Sequence, residues 1–257
     1  MASGLGVYQI ANACLSRFPI LKKIGDTEIV VKINSVAGLA LAEEILGGAG
    51  YRPALEGYSI KTFVDLGCNV GWFPCLLAAY QFSENPMGIM VDGDPDVINS
   101  ARWHLEKNNL TRCEIIHGVV GVSDNSNTII FNINPSNTQS SIKKFAANHP
   151  FPLKGKVKEE WVPSLTLSKE WKSRFGETPI DLLKIDIEGA ELEFLKKEID
   201  FIISKVRRIV CEWHEWHVTL SEIKGYLESK NFVMGLILEK DEKGGVVIFD
   251  NEMCSVS

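Results

Sequence analysis

No two of the six cysteines in this chain form a C-x-x-C pair; they stand apart at positions 14, 68, 75, 113, 211 and 254. That removes the usual spacing of a zinc ribbon or dithiol redox motif. Thiols lying inside apolar runs pack as small hydrophobes, and a reduced, cytoplasmic setting is expected. Basic charge is scarce as well: 27 Lys and Arg stand against 33 Asp and Glu. With only local pairs such as Lys143-Lys144 and Arg207-Arg208, there is no broad positive field for nucleic acid or anionic lipid. Long apolar runs are missing too. "MASGLGVYQIANACLSRF" has no basic region ahead of its weakly apolar stretch, and "VAGLALAEEILGGAG" is broken by Glu43-Glu44. Neither secretion nor membrane spanning is expected, and no repeat or low-complexity tract stands out. What remains, 257 residues at 45% hydrophobic content, suffices for one sizeable core and one main domain.

Residues 1–60 read as an N-terminal cap: a helical start, a strand at "TEIVVKI", a helix around Leu39 to Leu46 and a glycine-rich turn "GGAGYRPALEG". From residue 61 to 257 the pattern becomes regular. Strand "KTFVDL", a helix from Val70, strand "MGIMVD", helix "DVINSARWHLEKNN" and strand "CEIIHG" alternate. Residues 118–163 interrupt with "NTIIFNIN" and then a polar stretch without periodicity, an insertion running over the surface. The alternation resumes with strand "IDLLKID", helix "AELEFLKKEI", strand "VRRIVCEW" and helix "TLSEIKGYLESKN". It closes on "FVMGLILEK" and "VVIFD", joined by "DEKGG" as an antiparallel hairpin. Such alternation means an α/β fold, with a mostly parallel sheet covered by helices on both faces.

In "FVDLGCNVGWF" a strand runs through a glycine loop into a helix. Backbone N–H groups at such a turn can face a ligand, and glycines let it approach the main chain. Asp65, Gly67, Cys68, Asn69, Gly71 and Trp72 are the candidate cofactor contacts. Asp94 in "VDGDPD", 23 residues after Gly71, has the spacing of an acid that accepts hydrogen bonds from ribose hydroxyls. Asp92 is its competitor. The dinucleotide fingerprint needs a third glycine where this loop continues into Trp72, which disfavours NAD. S-adenosylmethionine carries ribose and adenine without a pyrophosphate and suits the loop better.

"FVDLGCNVGWF", "DGDPDVINSARWHLEKNNL", "SLTLSKEW", "DLLKIDIEGAELEFL" and "IVCEWH", in this order, resemble the FkbM family of S-adenosylmethionine-dependent methyltransferases over roughly residues 60–215. The resemblance implies a class I methyltransferase (Rossmann-like) fold with a seven-stranded sheet. It also implies a methyl donor in the Asp65–Gly71 loop and O-methylation of a hydroxyl on a sugar, polyketide or similar small metabolite. Asp94-Pro95 stands where the family usually has Glu-Pro, and Cys68 where Ala is common. Ser168 stands where Asp is usual, so no role is assigned to it.

Methyl transfer needs an aligned nucleophile and a group to take its proton. Asp186 ends the fourth strand of the alternation, and an extended backbone would point Glu188 the same way. Glu191 falls on the first helical turn, where it can complement the helix N-terminus. In "EWHEWH", Glu212 and His214 share one face if the strand is still extended. His214, with an ordinary pKa near 6.5, is the general-base candidate, whereas His217 belongs to the next helix start. Asp186, Glu188 and His214 are thus the catalytic candidates. They offer metal ligands of the right kind, but no spacing such as H-x-x-x-H supports an ion, and none is expected. The competing functions are a non-catalytic cofactor-binding scaffold and a nicotinamide oxidoreductase.

Overall fold

The computed structural model describes residues 11–15, 17–33, 36–47, 50–80, 85–121, 127–134, 140–142 and 157–254. An antiparallel hairpin comes first, β1 (Ile20–Ile24) and β2 (Thr27–Val31), turned at Gly25 with φ 57°. Patterning reveals only the second strand, because Lys22 and Lys23 break the apolar run of the first. Next come α1 (Val36–Leu46) and the short α2 (Arg52–Leu55), which has a proline in its first turn and lies inside the stretch expected to be a turn.

The main elements are β3 (Thr62–Leu66), α3 (Trp72–Tyr80), β4 (Met87–Asp92), α4 (Pro95–Lys107), β5 (Cys113–His117), β6 (Thr128–Ile133) and β7 (Lys158–Pro163). They continue with α5 (Leu167–Phe175), β8 (Ile180–Ile185), α6 (Glu191–Lys205), β9 (Val206–His214), α7 (Leu220–Glu228), β10 (Phe232–Lys240) and β11 (Gly244–Asn251). Seven strands form one sheet in the order β10-β11-β9-β8-β3-β4-β5. Neighbours from β9 to β5 are parallel, and β11 lies antiparallel between β9 and β10. The sheet and its closing hairpin are as the sequence pattern predicts.

Every residue of β3 and β8 is buried, as central strands covered on both faces must be. The period-2 alternation then divides their side chains. Phe63 and Leu182 pack with Phe73, Leu76 and Leu77 of α3. Val64, Leu66, Leu183 and Ile185 face Phe194 and Leu195 of α6 and Ile223 of α7. Asp65 and Lys184, which are register partners, share the first face.

The interruption after β5 carries β6 and β7, paired as a separate antiparallel sheet. β7 has no counterpart in the sequence reading, and residues 135–139 and 143–152 of the polar stretch lie outside the described residues. The sequence pattern assigns no helix at α5 either. Its first N–H groups, Leu167 N and Ser168 N, donate to the Glu198 carboxylate at 2.9 and 3.3 Å, a cap supplied from α6 that no local rule can see. Among the described residues, no helix is long and apolar enough to cross a membrane.

Beneath the glycine loop, His104 of α4 is buried and neutral. Its Nε2 accepts from Trp72 Nε1 at 3.1 Å and Lys32 N at 2.9 Å, while Nδ1 sits 2.9 Å from Ser100 O. Burial pushes its pKa down to about 4. A histidine depressed in this way favours the fold above its unfolded pKa of about 6.5, and that contribution fades as pH falls toward 4. Two and a half units correspond to about 3 kcal/mol. Between pH 7 and pH 4, urea unfolding should therefore show His104→Gln losing about 3 kcal/mol less than wild type. Equal losses would remove His104 from the acid sensitivity.

Candidate active site

The loop from β3 to α3 is tied down from the β4 side. Gly67 N and Cys68 N both donate to Val91 O, at 3.0 and 3.1 Å. The Asp92 carboxylate takes Asn69 N on one oxygen and Asp94 N on the other, each at 2.9 Å. Burial raises the Asp92 pKa to about 6 in spite of these two bonds. At Gly67, φ 75°, a Cβ would lie 1.7 Å from Asp186 O, so only glycine lets the ends of β3 and β8 come this close.

Several loop residues differ from the expected cofactor contacts. Trp72 is buried, with its indole turned into the core toward His104, and Cys68 is a buried thiol whose pKa burial pushes well up. Both are corrected from cofactor contacts to core residues. Gly71, φ 81°, is required by packing: a Cβ there would meet Ala101 Cβ at 2.9 Å and Met90 Cε at 3.0 Å. α4 fills the space that the sequence reading gave to a ligand. Gly67 and Asn69 do line the cleft.

At the carboxyl ends of the strands lies a cavity of about 290 Å³, bordered by Gly67, Asn69, Asp92, Asp94, Asp186 and His214 among others. It adjoins a smaller, largely apolar recess of about 50 Å³ walled by Val91, Val119, Val120, Phe131 and Ile142. The two share Gly67, Asp92, Ser140 and Asp186 and form one cleft. Asp94 caps α4, with Oδ1 accepting Asp96 N at 2.9 Å. Its Oδ2 is buried without a hydrogen-bond partner among the described residues. A buried orphan acceptor carries a desolvation cost that a ligand hydroxyl would remove. Between the two candidate acids, Asp92 is therefore committed to the loop and Asp94 is available. The apolar recess escapes the sequence reading because its walls come from β4, the turn after β5, β6 and Ile142.

Under the loop Lys184 bridges two carboxylates. Nζ stands 3.3 Å from Asp65 Oδ1 and 3.2 Å from Asp186 Oδ2, and donates to Gly67 O at 3.3 Å. Asp65 is fully buried. Its contact to Lys184 lacks hydrogen-bond alignment, leaving an ion pair alone. Burial pushes the Asp65 pKa up while Lys184 opposes it. On Lys184, burial favours the neutral amine, yet Asp186 and Asp65 outweigh it and hold the pKa well above the usual lysine value. Asp65 thus belongs to the foundation of the loop rather than its ligand-facing surface, a further correction to the expected contacts.

The end of β9 brings His214 among three glutamates. Nδ1 is 2.9 Å from Glu191 Oε1, and Nε2 is 3.2 Å from Glu188 Oε2 and 3.9 Å from Glu212 Oε1. Glu191 is fully buried and also accepts Gly189 N at 3.0 Å. Glu188 reaches the histidine from a left-handed turn, φ 51°, rather than from the extended backbone expected of it. Its carbonyl accepts Ser141 Oγ at 2.7 Å. Burial works against a charged imidazole, but Glu191 and Glu188 override it and hold the His214 pKa well above the ordinary value. His214 is therefore a proton donor to carboxylates. The surroundings thus favour the charged imidazole, unlike the ordinary imidazole pKa expected of a general base. Glu212, whose pKa is raised first by burial and then by Asp186, also faces the cavity. Asp186, Glu188 and His214 do gather at one place. Glu191, read as a helix-end charge, is the residue that orients the imidazole.

The methyltransferase FkbM domain family matches residues 65–234. Comparison with curated proteins finds no match. Among solved structures, a methyltransferase FkbM from Methylobacillus flagellatus superposes with a TM-score of 0.51 at 16% identity, covering 78% of this chain and 46% of that one. The chain thus spans less than half of that protein's length. The fibrillarin pre-rRNA processing protein of Methanococcus jannaschii gives 0.51 at 13% identity, over 92% and 84% of the two chains. At these identities the two structures speak for the fold, a class I methyltransferase architecture. With the family match extending over well over half its length, the chain belongs to the FkbM methyltransferase family.

Proposed function

We propose that the protein is an S-adenosylmethionine-dependent methyltransferase that modifies a hydroxyl of a small metabolite such as a sugar or polyketide. The observation that carries this reading is the single cleft, with an orphan carboxylate oxygen at Asp94 beside an apolar recess at one end and a carboxylate–histidine cluster at the other. Asp94 Oδ2 suits a ribose hydroxyl, and the apolar walls Val119, Val120 and Phe131 offer contacts to one side of adenine. Gly67 and Asn69 border the remainder. The bound cofactor supplies a methyl group on a sulfonium already activated toward nucleophiles.

The work left to the chain is to hold the acceptor oxygen in line and draw off its proton. His214, fixed by Glu191 and Glu188, keeps these carboxylates in place at the cavity wall. Asp186 and Glu212 present the remaining acceptor oxygens. Trp216 borders the same cavity and offers an apolar face to the body of the acceptor. Incubation with methyl-labelled S-adenosylmethionine and a panel of glycosides and polyketides tests the reading, with product position determined by mass spectrometry. Label on oxygen supports it, and label on nitrogen or carbon alone refutes the hydroxyl acceptor.

A further inference from the structure

Asp186, Glu212 and His214 each offer a ligand atom, and these atoms lie within 4.8 Å of one another. We infer that they form a binding site for a divalent cation of the Mn2+ or Mg2+ class, which holds and acidifies the acceptor hydroxyl. The inference rests on the function proposed above and deepens it by naming what activates the acceptor.

Acids at a protein surface often gather without an ion, so the histidine is what distinguishes this group. Its Nδ1 is held at 2.9 Å by Glu191 Oε1. Glu191 is itself fully buried and fixed by Gly189 N, and its Oε2 has no partner among the described residues. A carboxylate on one imidazole nitrogen, fixing the ring and directing the other nitrogen at an ion, is how metal-binding histidines are oriented. Here the other nitrogen, Nε2, faces Glu188 Oε2 and Glu212 Oε1. Asp186 gives Oδ2 to Lys184, and a carboxylate has a second oxygen for another cation.

Size and charge agree. Ligands on opposite sides of a Mg2+ or Ca2+ ion stand roughly 4 to 5 Å apart, so this group closes on an ion with small side-chain adjustments. Among the described residues five carboxylates, Asp65, Asp186, Glu188, Glu191 and Glu212, gather around Lys184 and His214, and a divalent ion offsets part of the excess negative charge. One imidazole with carboxylate oxygens suits Mn2+ or Mg2+ better than a thiolate-seeking metal. On binding, Nε2 exchanges its proton for the ion, and the proton leaves to solvent. The acceptor oxygen then occupies an open coordination position, where the cation lowers its pKa. No motif spacing betrays the site, because its ligands come from the ends of two strands 26 residues apart, Asp186 and Glu212.

Free Mn2+ gives a six-line electron paramagnetic resonance signal that disappears on binding, so the full chain can be titrated with Mn2+ directly. The expected result is one ion per chain, with affinity lowered about tenfold or more in His214→Asn, in Glu212→Gln and in the orienting variant Glu191→Gln. Exposed Glu222→Gln should bind as wild type, and circular dichroism identifies any variant that fails to fold. No binding at millimolar Mn2+, or binding equal in His214→Asn and Glu212→Gln, overturns the site. S-adenosylhomocysteine is titrated into the same samples. If it binds while Mn2+ does not, the cation site falls and the methyltransferase reading stands. If Mn2+ binds as expected while S-adenosylhomocysteine does not, the site stands and the reading above it falls.

Discussion

Lys184→Met should destabilise the protein by roughly 3 to 5 kcal/mol, the usual consequence of removing one partner of a buried ion pair. Asp65 is fully buried, and its oxygens find no hydrogen-bond donor among the described residues. Lys184 Nζ, 3.3 Å away, is the cation that keeps it tolerable there. Methionine has a comparable length and no charge, so the packing against Phe73 largely survives while the carboxylate is stranded. Two responses are open to the variant: it can protonate Asp65 or loosen β3. Both lower the urea midpoint. The double variant Lys184→Met with Asp65→Leu replaces the pair by apolar groups and should recover most of the loss, because a buried pair adds little over a well-packed apolar substitute. A single variant within 1 kcal/mol of wild type would show that the ion pair is not needed to carry Asp65.

His214→Asn should lower turnover about 10²-fold or more while leaving cofactor affinity nearly unchanged. Asparagine can still donate one hydrogen bond to Glu191, but the imidazole that Glu188 and Glu191 hold at the cavity wall is gone, and preorganised polar groups are a large part of most catalytic effects. The pH profile separates this role from proton abstraction. A base with ordinary imidazole pKa gives a rate that falls below about pH 6.5, and the variant would lose that limb. A histidine gripped by Glu191 and Glu188, whether charged or with Nε2 on a cation, gives no such limb, so wild type and variant should have profiles of one shape, displaced in height. A limb near pH 6.5 present in wild type and absent in the variant restores the histidine as base. An equal fall in cofactor affinity would mark His214 as a cofactor contact.

The sheet was legible because its strands are short apolar runs separated by helical periods, and β3 and β8 are buried on both faces. The helix at α5 was not, because its cap is Glu198 from another helix. β7 escaped because "KEEWVP" is half charged and pairs with β6 across a gap of more than twenty residues. In the site, the place of Asp94 at the cavity wall agrees with its distance from the glycine loop. Trp72, at the start of α3 just after that loop, could not be told from a core residue without knowing where His104 lies. Lys184 and Asp65 are opposite each other only through the pairing of β3 with β8, which sequence spacing does not express. Glu191 carries every local mark of a helix-end charge. Its grip on His214 depends on β9 ending beside the α6 N-terminus.

In the function proposed above, Asp94 receives the ribose of a bound S-adenosyl cofactor. Isothermal titration of S-adenosylhomocysteine into wild type and Asp94→Ala tests it most directly. The Asp94 carboxylate is buried and keeps Oδ2 unpartnered, so it should contribute a hydrogen bond of the charged kind, about 1.5 to 3 kcal/mol. At room temperature that is a fall in affinity of roughly ten- to a hundredfold. Part of any thermal destabilisation in the variant will reflect the lost α4 cap, about 1 kcal/mol, and circular dichroism separates that from binding. Saturable binding by wild type with the expected loss in Asp94→Ala is the predicted result. Equal affinity in the two proteins, or no binding by wild type, would contradict it.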